Sequence, residues 1–157
     1  MTNYRDEFMR EAIELASNSI ENGGGPFGAV IVKNGEVIAR ATNQVVLKSD
    51  PTAHAEVEAI RRACEILATH QLDRCTIYAS SEPCPMCLGA VYWAHIDVLF
   101  YGSSREAVNQ VGFDDQHMYE QFELASSDRK IKSSQHLEKE AMEVLAKWKV
   151  KTDKVPY

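Results

Sequence analysis

A three-layer α/β/α fold, with helices on both faces of a mixed sheet, is the architecture this sequence predicts. Two observations predict it. Four short apolar runs, at residues 28–33, 36–42, 75–80 and 96–101, have strand length and end in turn-forming residues. The other segments place apolar residues at helical spacing. The last two runs enclose one such segment, an order that pairs parallel strands across a right-handed crossover. At 157 residues the chain reads as one domain, 1–157, with volume for a real core and with neither an internal repeat nor a linker.

Each element has its own justification. Phe8, Ala12, Leu15, Ala16 and Ser19 recur at helical spacing, which predicts a helix from about Asn3 to Asn22. Gly23-Gly24-Gly25-Pro26 stops it. Residues 28–33 and 36–42, joined by Asn34-Gly35, predict a hairpin with a type I′ turn. Asp50-Pro51-Thr52 is a helix-start signal, with a capping side chain and a proline where a missing N–H costs little. That helix runs through His54 to about Thr69, its stripe formed by Val57, Ile60, Cys64 and Leu67. Residues 75–80 predict a strand, Pro85 opens a helix to about Ala94, and 96–101 predict the next strand. A helix over 104–109 follows, then two more over 114–124 and 137–148, joined by a polar stretch.

Composition excludes several classes of function. No apolar run approaches the roughly 20 residues that span a bilayer, and residues 1–10 lack a signal-peptide apolar region, so a cytoplasmic location is expected. Four cysteines in a reducing compartment suggest metal ligands or buried thiols. Seventeen basic against 23 acidic residues, a net charge of −6, provide no electrostatic footprint for a polyanion. Nucleic acid is therefore a poor candidate partner.

His54-Ala55-Glu56 and, thirty positions on, Pro83-Cys84-Pro85-Met86-Cys87 carry the chemistry. One imidazole and two thiolates hold a zinc ion with its fourth position open, as catalytic sites do. Such an ion lowers the pKa of its water to about 7. Glu56 is a ready proton carrier for that water. His54 and Glu56 would diverge inside a helix, but they converge where the first turn begins; Cys84 and Cys87 share a face by their three-residue step. H-x-E followed by P-C-x-x-C is the general signature of zinc deaminases. Two other readings stay open: a redox pair at Cys84 and Cys87, and a structural site closed by Cys75. His70, His95, His117 and His136 show no ligand spacing.

With these residues the chain resembles the cytidine deaminase-like superfamily and, within it, the bacterial guanine deaminase branch. The resemblance is carried by Gly25-Pro26-Phe27-Gly28-Ala29-Val30, by residues 50–56 and 82–90, by Tyr92-Trp93-Ala94 and by Gly112-Phe113-Asp114-Asp115. It implies a central mixed sheet of five strands. It implies His54, Cys84 and Cys87 as zinc ligands, Glu56 as proton shuttle, and Asp115 as a second carboxylate that protonates the departing amine. Asp114 is the alternative holder of that last role, or a helix cap. Substrate contacts are implied at Phe27, Asn43, Ala55, Trp93 and Tyr157. Phe27 stacks on a flat base and Asn43 reads its polar edge; the alternatives are a core phenylalanine and a turn cap, and Trp93 is equally a core candidate.

The implied reaction is hydrolysis of guanine, a free purine base, to xanthine and ammonia. The implied assembly is a homodimer in which a segment over about 126–157 is exchanged between subunits. The rivals are deamination of adenosine in transfer RNA, deamination of cytosine or cytidine, and a zinc-stabilised binding module without catalysis.

Overall fold

The computed structural model describes residues 3–156. Tyr157, expected to cover a pocket, lies outside the described residues. Helix α1 (Asp6–Glu21) buries Phe8, Met9, Ala12, Ala16 and Ser19, a stripe at three- and four-residue steps. Strand β1 (Gly28–Lys33) turns back into β2 (Glu36–Thr42). Asn34 and Gly35 have φ of 54° and 83°, the two left-handed positions that a type I′ turn requires. The pairing slips between Ile31 and Val32, a bulge that adds local twist.

On its other edge β1 pairs antiparallel with β3 (Cys75–Ser81), and β3 pairs parallel with β4 (Val98–Ser103). The strand order is β2-β1-β3-β4. The parallel pair is joined through α4 (Pro85–Trp93), the crossover that the order of elements predicts.

Both faces of the sheet are covered, which is why β1 is apolar almost throughout. Val30, Val32 and Tyr78 pack with Phe8, Met9 and Ala12 of α1. Ala29, Ile31 and Ile77 pack on the opposite face with Ala55, Ala59 and Ala63 of α3 (Ala55–Leu67), and with Val91 and Ala94. Gly28 permits the first of these contacts. A Cβ there would lie 2.7 Å from the backbone nitrogen of Ala16, so α1 rests directly on the start of β1.

The structure corrects the sequence reading in four places. The sheet has four strands among the described residues, not five. Downstream of β4 the elements among the described residues are helices: α5 (Arg105–Gln110), α6 (Asp115–Glu123) and α7 (Glu138–Val150). Ser104 Oγ accepts from the Ala107 N–H and Asp114 Oδ1 from the His117 N–H, so local capping commits these segments to helix. The polar stretch before α7 has no apolar run to bury in a sheet. Second, α3 begins later than the Asp50-Pro51 signal suggests. Asp50 Oδ1 accepts from both the N–H and the hydroxyl of Thr52, closing a turn. The chain is still extended at His54 (φ −68°, ψ 156°), and His54 is the residue that precedes the helix.

Third, the buried stripe of α3 is made of alanines and two glutamates, with Ile60, Cys64 and Leu67 only partly buried beside it. Small side chains let α3 lie close to the sheet. Fourth, α2 (Val45–Lys48) is a single helical turn, too short to leave a periodic pattern.

The chain divides into two compact units, Met1–Met118 and Tyr119–Tyr157. The first holds the sheet and the site described below. In the second, the Arg129 guanidinium donates to the carbonyls of Gln121 and Leu124, and the Gln121 side chain accepts from the Lys130 N–H. These bonds fold the segment back on the end of α6, ahead of α7. Among the described residues no helix is long and apolar enough to cross a membrane.

Candidate active site

Two helix starts face one another. His54 precedes α3 and Cys84 precedes α4, each with an extended backbone that turns its side chain off the helix axis. Pro85 stands at the first position of α4, where its missing N–H costs nothing, and Cys87 returns to the Cys84 side one turn later. His54 Nδ1 lies 3.6 Å from Cys84 Sγ and 3.5 Å from Cys87 Sγ. A tetrahedral ion with Zn–N of about 2.05 Å and Zn–S of about 2.3 Å places nitrogen and sulfur about 3.5 to 3.6 Å apart. The donor set and its spacing therefore fit zinc.

Among the described residues these three form the one His/Cys/Asp/Glu group able to hold a metal ion. Cys75 belongs instead to the buried core between the sheet and α3, so it does not close the site. The histidine beside both sulfurs also removes the case for a simple redox pair.

His54 and Cys84 open onto a pocket of about 350 Å³, at the small end of the range for small-molecule sites, and Cys87 lies buried behind them. His54, Glu56, Cys84 and Glu82 form its base, and Gly23 to Gly25 one wall. Asn43, Val45 and Val46 form a second wall; Phe27, Phe113 and Asp115 complete it. No lysine or arginine lines it. The Phe27 and Phe113 rings meet edge to face at 4.8 Å between centroids. Asn43 is almost wholly buried, and its Oδ1 accepts from the Val45 N–H at 3.2 Å. It therefore caps a turn and lines the pocket at once. Gly25 leaves room for that amide, since a Cβ there would approach Asn43 Cγ to 3.2 Å.

The electrostatics centre on the same groups. The hydrogen bond from the Cys87 thiol holds Cys84 down at about 4, with His54 adding to the effect against the cost of burial. Cys87 itself is pushed up, first by that bond to Cys84 and then by burial and the Glu56 charge. His54 is raised, chiefly by its hydrogen bond to Cys84. Burial raises Glu56, whose Oε2 lies 3.4 Å from Cys87 Sγ. Asp115 is also raised, by burial and then by the Cys84 charge. Two carboxylates in one pocket thus hold protons more readily than free carboxylates do.

The two aspartates take different positions. Asp114 Oδ1 accepts from the His117 N–H at 3.2 Å and caps α6, whereas Asp115 lines the pocket. Ala55 is buried as the first residue of α3; its N–H is one of the donors that a helix leaves unpaired within itself. Trp93 is 67% exposed on α4 and is not among the residues that line the pocket. Nine residues after Cys84, at about 100° per residue, it falls on the opposite side of the helix.

Glu82, Val45, Val46 and the glycines were not legible as site residues. Glu82 precedes the cysteine motif but carries no pattern of its own. Its carboxylate accepts from the Arg105 N–H at 3.0 Å.

A His/Cys/Cys group able to hold a metal, two carboxylates and an apolar cleft fit a hydrolytic deaminase, and the chain belongs to the MafB19-like deaminase family, which it matches over residues 3–125. It is 48% identical over 127 residues to the guanine deaminase of Bacillus subtilis (strain 168), an alignment covering 80% of this chain and 81% of that one. The X-ray structure of guanine deaminase from Bacillus subtilis matches it with a TM-score of 0.95 and 42% identity, covering 99% of each chain. A tRNA-specific adenosine deaminase of the same organism is 44% identical over 96 residues, 61% of this chain and 60% of that protein.

Proposed function

We propose that the protein hydrolyses guanine to xanthine and ammonia, with zinc held by His54, Cys84 and Cys87. The observation that carries this reading is the small pocket in which His54 and Cys84 meet Glu56 and Asp115 between apolar walls, with Cys87 buried beside them. Similarity to a guanine deaminase over most of both chains supports the choice of base.

When bound, zinc supplies the Lewis acidity that readies a water for attack near neutral pH. The chain's own residues do the rest. Phe27 and Phe113 hold the flat base and exclude bulk water from its faces. Asn43 offers a donor and an acceptor to the polar edge of the ring, and the Ala55 N–H offers a further donor. Glu56, buried beside the ligands, takes a proton from the attacking water and carries it to N3. Asp115, raised toward its protonated form, delivers a proton to the amino group leaving C2. One water is consumed and one ammonia released, with no net change in protons on the two carboxylates once the cycle closes.

The same proposal includes a cytoplasmic homodimer in which residues 126–157 are exchanged. Its support is α7, which buries none of its residues, while Met142, Leu145 and Trp148 stand exposed at three-residue steps along it. Truncation before α7 is expected to damage activity while zinc content stays at one per chain.

Identity to a tRNA-specific adenosine deaminase favours RNA as the second reading. The absence of lysine and arginine from the pocket lining and the net charge of −6 argue against it. The test is ammonia release from a panel of free bases, nucleosides and adenosine-containing RNA. Release from guanine supports the proposal, and release from RNA alone overturns it.

A further inference from the structure

Helix α2 is one turn long and buries none of its residues, so neither its own hydrogen bonds nor the core explains why it stays in place. Yet Val45 and Val46 line the pocket, and the Asn43 side chain is tied to its first turn. The start of this wall is held by polar contacts, the Gln44 N–H donating to the Ala53 carbonyl at 2.8 Å and the Asn43 N–H to the Phe27 carbonyl at 3.0 Å.

At its other end the hold comes from one carboxylate. Glu58, on α3 two residues beyond Glu56, has a side chain only 5% exposed. Its Oε2 accepts from Lys48 Nζ at 2.5 Å, and Lys48 is the last residue of α2. Its Oε1 accepts from Arg61 Nη1 at 2.8 Å. Arg61 Nη2 in turn donates to Thr52 Oγ1 at 3.3 Å, and its Nη1 lies 3.8 Å from Asp50 Oδ2. One buried carboxylate therefore links the end of α2, the turn at residues 50–52 and the helix that begins just after His54. Buried ion pairs contribute little net stability, because desolvation offsets attraction, and their better-attested use is to specify position.

We propose that Glu58 is a positioning residue: gripped by Lys48 and Arg61, it fixes the α2 wall against α3 and so sets the fit of the purine base. Nothing in this role touches the reacting atoms. It deepens the guanine deaminase reading and rests on it for the substrate.

The experiment compares wild type, Glu58→Gln, Lys48→Met and Lys48→Arg as zinc-loaded full-length protein. Two readouts are used: the KM and kcat for guanine, and hydrogen exchange of the backbone amides at residues 45–48. Glu58→Gln and Lys48→Met are expected to raise KM about tenfold with kcat within about twofold, the pattern of lost binding without lost chemistry. Exchange at 45–48 should quicken in both. Lys48→Arg, which keeps a cation in reach, should restore both readouts. Unchanged KM and unchanged exchange in folded Glu58→Gln overturn the proposal. Should that variant fail to fold, Lys48→Met decides by the same criteria, because it leaves Glu58 paired with Arg61. Should wild type not turn over guanine, the functional reading fails by itself; exchange then decides the clamp, faster supporting it and unchanged refuting it.

Discussion

Replacing Glu56 by glutamine keeps the shape of a buried side chain and removes its capacity to carry a proton. Glu56 is 7% exposed and lines the pocket beside the metal ligands without being one of the three. General acid–base catalysis by one positioned group contributes roughly 10² to 10⁴ in rate, about 3 to 5 kcal/mol of barrier. Glu56→Gln is therefore expected to lower kcat by that factor and leave zinc at one per chain. The structure adds a second expectation, in the metal-free protein. Burial raises the folded pKa of Glu56 above its ordinary value of 4.5. Below that value both side chains are neutral and the two proteins should be equally stable. As pH rises, the unfolded glutamate ionises first, and the wild type loses stability until the folded pKa is passed. The glutamine variant has no such loss, so its Tm should exceed the wild-type Tm by a margin that widens from acid to neutral pH. Metal analysis, steady-state ammonia release and thermal melts across pH measure all three quantities. Unchanged turnover in the variant would refute the proton-carrier role, and loss of zinc in step with activity would refute the separation of ligand from base.

Asp115→Asn is expected to lower kcat by at least about tenfold with zinc retained. Asp114→Ala should instead cost about 1 kcal/mol of stability through the lost cap and leave kcat near wild type, as kinetics and denaturant melts will show. Glu58 predicts a pH dependence of opposite sign to Glu56. Burial raises its pKa, but the hydrogen bonds from Lys48 and Arg61 outweigh it and the net shift is downward. Its stabilisation is fully present above about 4.5, its ordinary value, and is lost as pH falls through the lower folded value. The stability difference between wild type and Glu58→Gln should therefore shrink in acid. Removing metal with a chelator should abolish ammonia release while far-ultraviolet circular dichroism persists. The core on both faces of the sheet contains none of the three ligands, so zinc should restore activity.

Much of the fold was legible because its elements carry local signals. The Asn34-Gly35 turn, the apolar run of β1 and the proline at the head of α4 each specify backbone within a few residues. The candidate metal group was legible for the same reason: His54, Cys84 and Cys87, with Glu56 beside them, sit at fixed steps within two short motifs. What escaped depends on contacts distant in sequence. Asp50 reads as a helix cap, yet its Oδ1 is taken by Thr52 in a local turn and its Oδ2 lies 3.8 Å from Arg61, eleven residues on. Trp93 reads as a pocket residue by its motif, but the rotation of α4 turns it outward. Val45, Val46 and Glu82 enter the pocket only because β2, α2 and β3 end beside it. The fifth strand had no apolar run of its own behind it and rested on resemblance alone.

The central claim is tested most directly by following guanine and zinc-loaded protein in one vessel, reading xanthine from its absorbance spectrum and ammonia by a coupled assay. The account predicts that guanine is consumed and that xanthine and ammonia appear in equal amounts, with no product from metal-free protein. Guanine left intact by protein carrying one zinc per chain would contradict it.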